Sequence, residues 1–270
     1  MKSTDHTEKK AEKPEIGKTD FNVTFPSLEA DTICQDREYC MVEFENEKKR
    51  IRFHDYQEIY SIPGLYEHIF YEVLKCRSPQ LIGKLLENEL ERADRDASEL
   101  TVLDVGAGNG IMGEVLRDMG VRRIVGVDIL EEARMGALRD RPGVYSEYHA
   151  GDLTALSPEM EEALCNRNFN CMTLVAALGF GDIPPEVFSA AFNYIRDGGW
   201  IAFNIKDEFL KTGHESGFSR LIRRMEQQGT MKLLVQARYV HRLSISGEEL
   251  MYTVMLGRKL CDVSPSLNGS

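Results

Sequence analysis

From Leu100 onward the chain alternates short apolar runs with longer stretches of helical period. Apolar runs of four to eight residues read as buried strands, and apolar residues spaced three and four apart read as amphipathic helices. Residues 101–105, 123–127, 145–149, 169–177 and 200–205 are thereby strands. Residues 111–119, 131–138, 157–164, 185–194 and 218–228 are the helices that follow them. Two last runs, "KLLVQARYVHRLSI" and "EELMYTVMLGRKL", joined at Ser246-Gly247, form a closing strand pair. Regular β–α alternation predicts a doubly wound α/β fold, a mostly parallel seven-stranded sheet with helices on both faces. The closing pair puts one antiparallel strand into it.

Upstream the pattern is different. Residues 1–25 are rich in Lys, Glu and Thr and nearly free of large apolar side chains, the composition of a disordered tail. Residues 39–53 alternate polar and apolar positions around a polar turn, which predicts a small hairpin. Residues 54–93 read as two or three helices interrupted at Pro63-Gly64 and Ser78-Pro79. The expected organisation is a tail over 1–25, a hairpin and helical cap over 26–98, the α/β domain over 99–262 and a short tail over 263–270.

Charge and cysteine usage narrow the partners. The net charge of −11 repels phosphate backbones and argues against nucleic acid as substrate. No window is apolar over the roughly 20 residues a membrane span needs. The N-terminus carries no apolar core of a secretory signal, and six scattered cysteines form no C-x-x-C. These features predict a reduced, cytoplasmic protein without a membrane anchor. Nothing in the pattern sets an oligomeric state.

The chemistry concentrates in "TVLDVGAGNGIMG", residues 101–113, where two glycine patterns overlap. Gly108, Gly110 and Gly113 spell the G-x-G-x-x-G of dinucleotide binding. Asp104, Gly106, Gly108 and Gly110 spell an acid-x-G-x-G-x-G loop. The acid decides between them. A carboxylate two residues before the first glycine would repel a pyrophosphate at the helix N-terminus. It is compatible with an ammonium group and a sulfonium charge, which S-adenosylmethionine carries. Asp104, Asp128 and Asp152 are spaced 24 residues apart, one β–α period, so all three should meet at the ligand edge of the sheet.

With "VLDVGAGNG", "IVGVD", "AGDL", "FNCMTLVAALGF", "YIRDGGWIAFNI" and the final strand pair, residues 100–262 resemble a class I, Rossmann-like S-adenosylmethionine-dependent methyltransferase of the small-molecule type. The resemblance implies that Asp104, Gly106, Ala107, Gly108 and Gly110 meet the methionine part of the cofactor. It implies Asp128 and the adjoining Ile129 at the ribose, Asp152 and Leu153 at the adenine, and Ala176, Ala177 and Leu178 near the sulfonium. Gly113 then needs only a close approach of helix and sheet.

The acceptor is less defined. After strand four the chain reads "AALGFGDIPP", without the Asn/Asp-Pro-Pro-Tyr/Phe of amino-group methylases. Asp182 and Asp207 are isolated acids, so no metal is expected. Tyr56, Tyr60 and Tyr66, in the helical cap with His54 beside them, are candidates to bind acceptor and exclude water, with Tyr56 and Tyr60 on one helical face. Asn204 and Lys206 end strand five on the ligand edge and are candidates to hold an acceptor's carbonyl or carboxylate. His241, in "ARYVHRLSI", is the candidate base, with Tyr56 and Tyr60 beside it in catalysis. The expected activity is methyl transfer to an oxygen, nitrogen or sulfur of a small molecule. A protein methyltransferase, a methyltransferase-like binding module and an NAD-dependent oxidoreductase are the alternatives.

Overall fold

The computed structural model describes residues 20–26, 34–178, 183–211, 214 and 216–264. Most of the tail expected over 1–25, and residues 265–270, lie outside the described residues. Strand β1 (Phe21–Thr24) pairs antiparallel with β2 (Tyr39–Phe44), and β2 with β3 (Glu47–Arg52). The alternation over 39–53 thus makes its hairpin, turned by Glu45 and Asn46 at φ 52° and 66°. Strand β1 corrects the tail: Phe21 and Val23 share one face and pack on the cap, a local signal that composition averaged over 25 residues hides.

The cap continues with helix α1 (Tyr56–Ser61) and α2 (Leu65–Glu67), which widens into a π-type turn over His68–Val73. Pro63-Gly64 breaks the two, with Gly64 at φ 78°. Cys40, Ile51, Phe53, Ile59, Leu65 and Ile69 make the cap's own core. A buried ion pair fastens it to the rest of the chain: Arg242 donates to Glu38 at 2.5 Å, and Glu38 also accepts from the Ile245 amide at 2.7 Å. Helix α3 (Ser78–Arg92) was expected in the cap. Instead Ile82, Leu86 and Leu90 pack with the sheet, because their spacing makes a stripe that fits there.

The seven-stranded sheet comprises β4 (Thr101–Val105), β5 (Arg123–Asp128), β6 (Glu147–Ala150), β7 (Cys171–Leu178), β8 (Trp200–Lys206), β9 (Met231–Leu243) and β10 (Glu249–Lys259). Its order is β6-β5-β4-β7-β8-β10-β9, and β10 alone runs antiparallel to its neighbours. Helices α4 (Ile111–Asp118) and α5 (Glu131–Asp140) follow the first two parallel strands, and α6 (Pro158–Cys165), α7 (Pro185–Asn193) and α8 (Phe218–Gln228) the later ones. Met112 and Leu116 of α4 join α3 in one hydrophobic layer. Leu164, Phe188, Phe192, Leu221 and Met225 of α6, α7 and α8 form the other. The doubly wound α/β fold expected from the alternation is the one observed. Two irregularities bear on the site: β7 slips against β8 between Leu174 and Leu178, and β9 slips against β10 opposite Leu250/Met251.

Candidate active site

The carboxyl ends of β4, β5 and β7, with the turn after β6, face a cavity of about 640 Å³. Gly106, Asp128, Ile129, Asp152, Leu153, Ala176 and Ala177 line it from the sheet. Gly106 has φ 62°, and a Cβ there would lie 2.9 Å from both Ala177 Cβ and Ile183 Cδ1. The first glycine therefore keeps the cavity open. Gly113 answers the competing motif: a Cβ there would lie 2.6 Å from the Tyr145 ring, so it serves close packing behind the loop.

Asp128 holds the loop in shape. Its Oδ2 accepts from the Gly108 amide and its Oδ1 from the Leu130 amide, both at 3.0 Å. Burial raises its pKa against the lowering effect of these amides. Each oxygen keeps a lone pair for a ligand. Asp152 is engaged by Thr154, whose amide and hydroxyl donate to Oδ1 at 2.8 and 2.7 Å and hold the carboxyl below its usual range. Ile129 is 66% exposed on the rim.

Asp104 lies beneath the loop, not in the cavity wall. It is 1% exposed, and its two oxygens accept from the hydroxyls of Thr173 and Tyr145, each at 2.7 Å. Burial pushes its carboxyl up to about 6. It borders a void of about 30 Å³ that adjoins the cavity, together with Ala107, Gly108 and Tyr66. Gly110 lines neither space and N-caps α4.

The opposite wall is the cap. Tyr56 and Tyr60 stack at 5.9 Å, Tyr60 and Tyr66 meet at 5.1 Å, and all three line the cavity. The Tyr60 hydroxyl sits so close over Gly108 that a Cβ there would be 2.5 Å from it. Burial raises both the Tyr60 and Tyr66 hydroxyls, which keeps them protonated. Helix α1 is anchored on α5 by Gln57 to Glu132 at 2.8 Å and by Arg139 to the Tyr60 carbonyl at 3.1 Å. Glu67 of α2 accepts from Asn109 of the glycine loop and from Arg141, both at 2.7 Å.

Besides Asp104, Ala107, Gly108 and Gly110, four further expected residues do not line this cavity. Asn204 is fully buried behind Ala176, with its amide spent on protein partners. Lys206 pairs with Glu208 at 3.0 Å away from the lining. Leu178 and His241 line a void of about 30 Å³ that adjoins the cavity and shares His54, Tyr56, Tyr66, Ala176 and Ala177 with it. The His241 Nδ1 is 2.6 Å from Ser78 Oγ, its ring lies 4.1 Å from that of Tyr252, and burial lowers its pKa to about 3. The imidazole is thus neutral and buried in the void beside the cavity rather than at its rim. Of the two isolated acids, Asp182 lies outside the described residues. Asp207 is bonded to Arg238 and, at 2.7 Å, to Thr253.

The sequence reading passed over lining residues on both walls. Asp55, Gln57 and Glu58 border the cavity from the cap beside the expected His54, and Ile183, Pro184 and Val187 from the segment after β7. Tyr148, whose hydroxyl donates to the Gly108 carbonyl at 2.7 Å, was also missed. The tyrosines of the third strand, at 145 and 148, were the available signal for support under the loop.

A family model described as a methyltransferase domain matches residues 77–241, from the foot of α3 to His241. The chain belongs to this methyltransferase family. The cavity fits S-adenosylmethionine: an open first glycine, the Asp128 carboxylate at a strand end and no lysine or arginine among the described lining residues. The ubiquinone biosynthesis O-methyltransferase of Thiobacillus denitrificans is 29% identical over 111 residues, 41% of this chain and 46% of its own length. That of Leptothrix cholodnii is 26% identical over 176 residues, 63% of this chain and 68% of its own length. The methyltransferase thus spans about half the length of the first of these relatives. A solved S-adenosylmethionine-dependent methyltransferase from Methanosarcina mazei is 15% identical, over 61% of this chain and 94% of its own, with a TM-score of 0.44. No helix among the described residues is long and apolar enough to cross a membrane.

Proposed function

We propose that the enzyme transfers the methyl group of S-adenosylmethionine to an oxygen, nitrogen or sulfur atom of a small-molecule acceptor by in-line displacement. The half-enclosed cavity of about 640 Å³ under the α1 cap carries this reading. Small-molecule sites have volumes of about 300–1,000 Å³. The relatives named as O-methyltransferases favour a hydroxyl as the acceptor group.

In this reading the cofactor supplies a methyl group on a sulfonium, which is already a good leaving group. The chain's work is binding, alignment and exclusion of water. Asp128 accepts from the ribose hydroxyls with its remaining lone pairs, and Ile129 covers the adjoining ring. Asp152 and the Leu153 amide read the adenine. The Gly106–Gly110 backbone meets the methionine part, with the Asp104 charge beneath it, and Ala176 and Ala177 flank the sulfonium. Tyr56, Tyr60 and Tyr66 keep water out and offer ring faces to the cation. His54 is the one imidazole among the described lining residues, so it replaces His241 as the group that takes a proton from an acceptor hydroxyl.

The test supplies methyl-labelled S-adenosylmethionine with a metabolite extract and, separately, with a protein extract. Label should enter the small-molecule fraction. Label confined to protein would overturn the acceptor class. Calorimetry should find binding of S-adenosylhomocysteine and none of NADH.

A further inference from the structure

Ala176 occupies a backbone conformation that residues other than glycine rarely adopt, at φ 60°. It does so in the cavity wall, where β7 slips against β8. Such a conformation persists only when its surroundings enforce it. The enforcing contact is visible: the Ala176 amide donates to Asn204 Oδ1 at 2.7 Å. With its oxygen committed, Asn204 must donate through Nδ2, and it does so to the Tyr239 hydroxyl at 2.7 Å and Ser78 Oγ at 3.1 Å. Tyr239 and Ser78 are themselves 2.6 Å apart, and Ser78 is 2.6 Å from His241 Nδ1.

The bonds form one connected chain. Asn204 donates to Tyr239 and Ser78, these two hydroxyls bond to each other, and Ser78 also bonds to His241. Asn204 and Ser78 are fully buried, so a break in the sequence leaves an unpaired group without water to replace it. The four side chains come from α3, β8 and β9, three elements that otherwise have no reason to agree on the shape of β7.

We propose that Asn204, held by Ser78 and Tyr239, is a positioning residue that keeps Ala176 in its left-handed conformation and thereby shapes the cofactor wall. The inference rests on the reading of the main cavity as the cofactor site. It gives a function to Asn204 without contact to cofactor or acceptor.

The experiment is a double-variant cycle with S-adenosylhomocysteine as the probe, measured by calorimetry well below each variant's melting temperature. Asn204→Leu keeps the volume and removes the acceptor, and should weaken binding about tenfold or more. Glycine takes a positive φ at no steric cost. In the Ala176→Gly background the same Asn204→Leu change should therefore cost less than about threefold. A general loss of packing would not be relieved by removing a methyl group at position 176. Should Asn204→Leu fail to fold, Tyr239→Phe and Ser78→Ala release the Asn204 amide more gently, and their losses should shrink in the same background. Equal losses in both backgrounds, or no loss in a folded Asn204→Leu variant, would overturn the proposal. If the unaltered enzyme itself does not bind S-adenosylhomocysteine, the cavity reading falls instead.

Discussion

The sheet wall of the cavity and the layer just behind Ala176 are built by opposite means. The wall is loop and backbone: Gly106, Asp128 and Asp152 each stand at or just past a parallel strand end, one β–α unit after another. The layer behind is side chains: Asn204, Tyr239 and His241, from β8 and β9, turn away from the cavity and bond to one another or to Ser78. Chain period fixes where a strand end lies. Local irregularity fixes which way its side chains face, because a one-residue slip sends them to the other side. Strands β4, β5 and β6 keep regular register, while β7/β8 and β9/β10 both slip near the residues in question.

The comparison predicts a ranking of effects on cofactor affinity. Gly106→Val should do most. The new side chain would lie against Ala177 and Ile183 and would force a branched residue into positive φ. A loss of about 100-fold or more in S-adenosylhomocysteine affinity is expected, equivalent to about 3 kcal/mol. Calorimetry on a variant whose circular dichroism matches the parent checks it, and a loss under threefold would mean that the cofactor does not lie over this glycine.

Asp128→Ala comes second. It removes the ribose acceptor and also two bonds that shape the loop, from Gly108 and Leu130. The expected weakening is about 1.5–3 kcal/mol, the range for hydrogen bonds to a charged group. Asp128→Asn should recover part of it, since one oxygen still accepts. If the two variants lose equally, the charge rather than the geometry of Asp128 is what matters.

Legibility follows the same division. The strands, the glycine loop and the three acids could be read because each depends on spacing alone, and spacing is what a sequence prints. Asp104 was placed correctly in the chain but one layer too shallow. Tyr145 and Thr173, whose hydroxyls draw it beneath the loop, lie 41 and 69 residues away. Asn204 was assigned to the ligand edge by its place at the end of a strand, which does not say which face the side chain takes, and His241 stands where β9 slips against β10. At His241 the slip buries both it and Arg242, which alternation assigns to opposite faces. The cap wall was half legible: Tyr56 and Tyr60 four residues apart predict their stack and His54 was expected beside them, but nothing local says that Asp55, Gln57 and Glu58 face the same cavity.

The third effect is a pH dependence through Asp104. Its carboxyl, pushed by burial up to about 6, is neutral at pH 5 and ionised at pH 7. The ammonium group of S-adenosylhomocysteine favours the ionised form, so its affinity should rise between pH 5 and 7, by up to about tenfold per unit of coupled shift, and then level. Asp128, also raised by burial, adds in the same direction. Asp104→Asn should flatten the Asp104 part of the profile. Without ligand the sign reverses: the folded pKa exceeds the unfolded one, so this group favours folding below about pH 4 and loses that stability as pH rises through 6.

The smallest effect on affinity belongs to His241, and it gives the sharpest contrast between wall and layer behind. His241→Asn should change S-adenosylhomocysteine binding by no more than about threefold, because the ring does not line the cavity and its hydrogen bonds lead to Ala176 through Ser78 and Asn204. Stability should respond instead. The folded pKa of about 3 lies below the usual 6.5, since burial disfavours the charged ring. The unfolded chain therefore binds more protons between those values, and stability is lost as pH falls from about 6.5 toward 3. The slope approaches about 1.4 kcal/mol per pH unit for one group. Asp104 acts oppositely between about pH 4 and 6, so the two partly cancel in the parent, and each single variant should expose the other's slope. Melting temperatures of the parent, His241→Asn and Asp104→Asn across pH 4–8 measure both. A His241→Asn variant that keeps its acid sensitivity, and instead loses turnover with its cofactor affinity intact, would return the imidazole to the acceptor and make His54 the bystander.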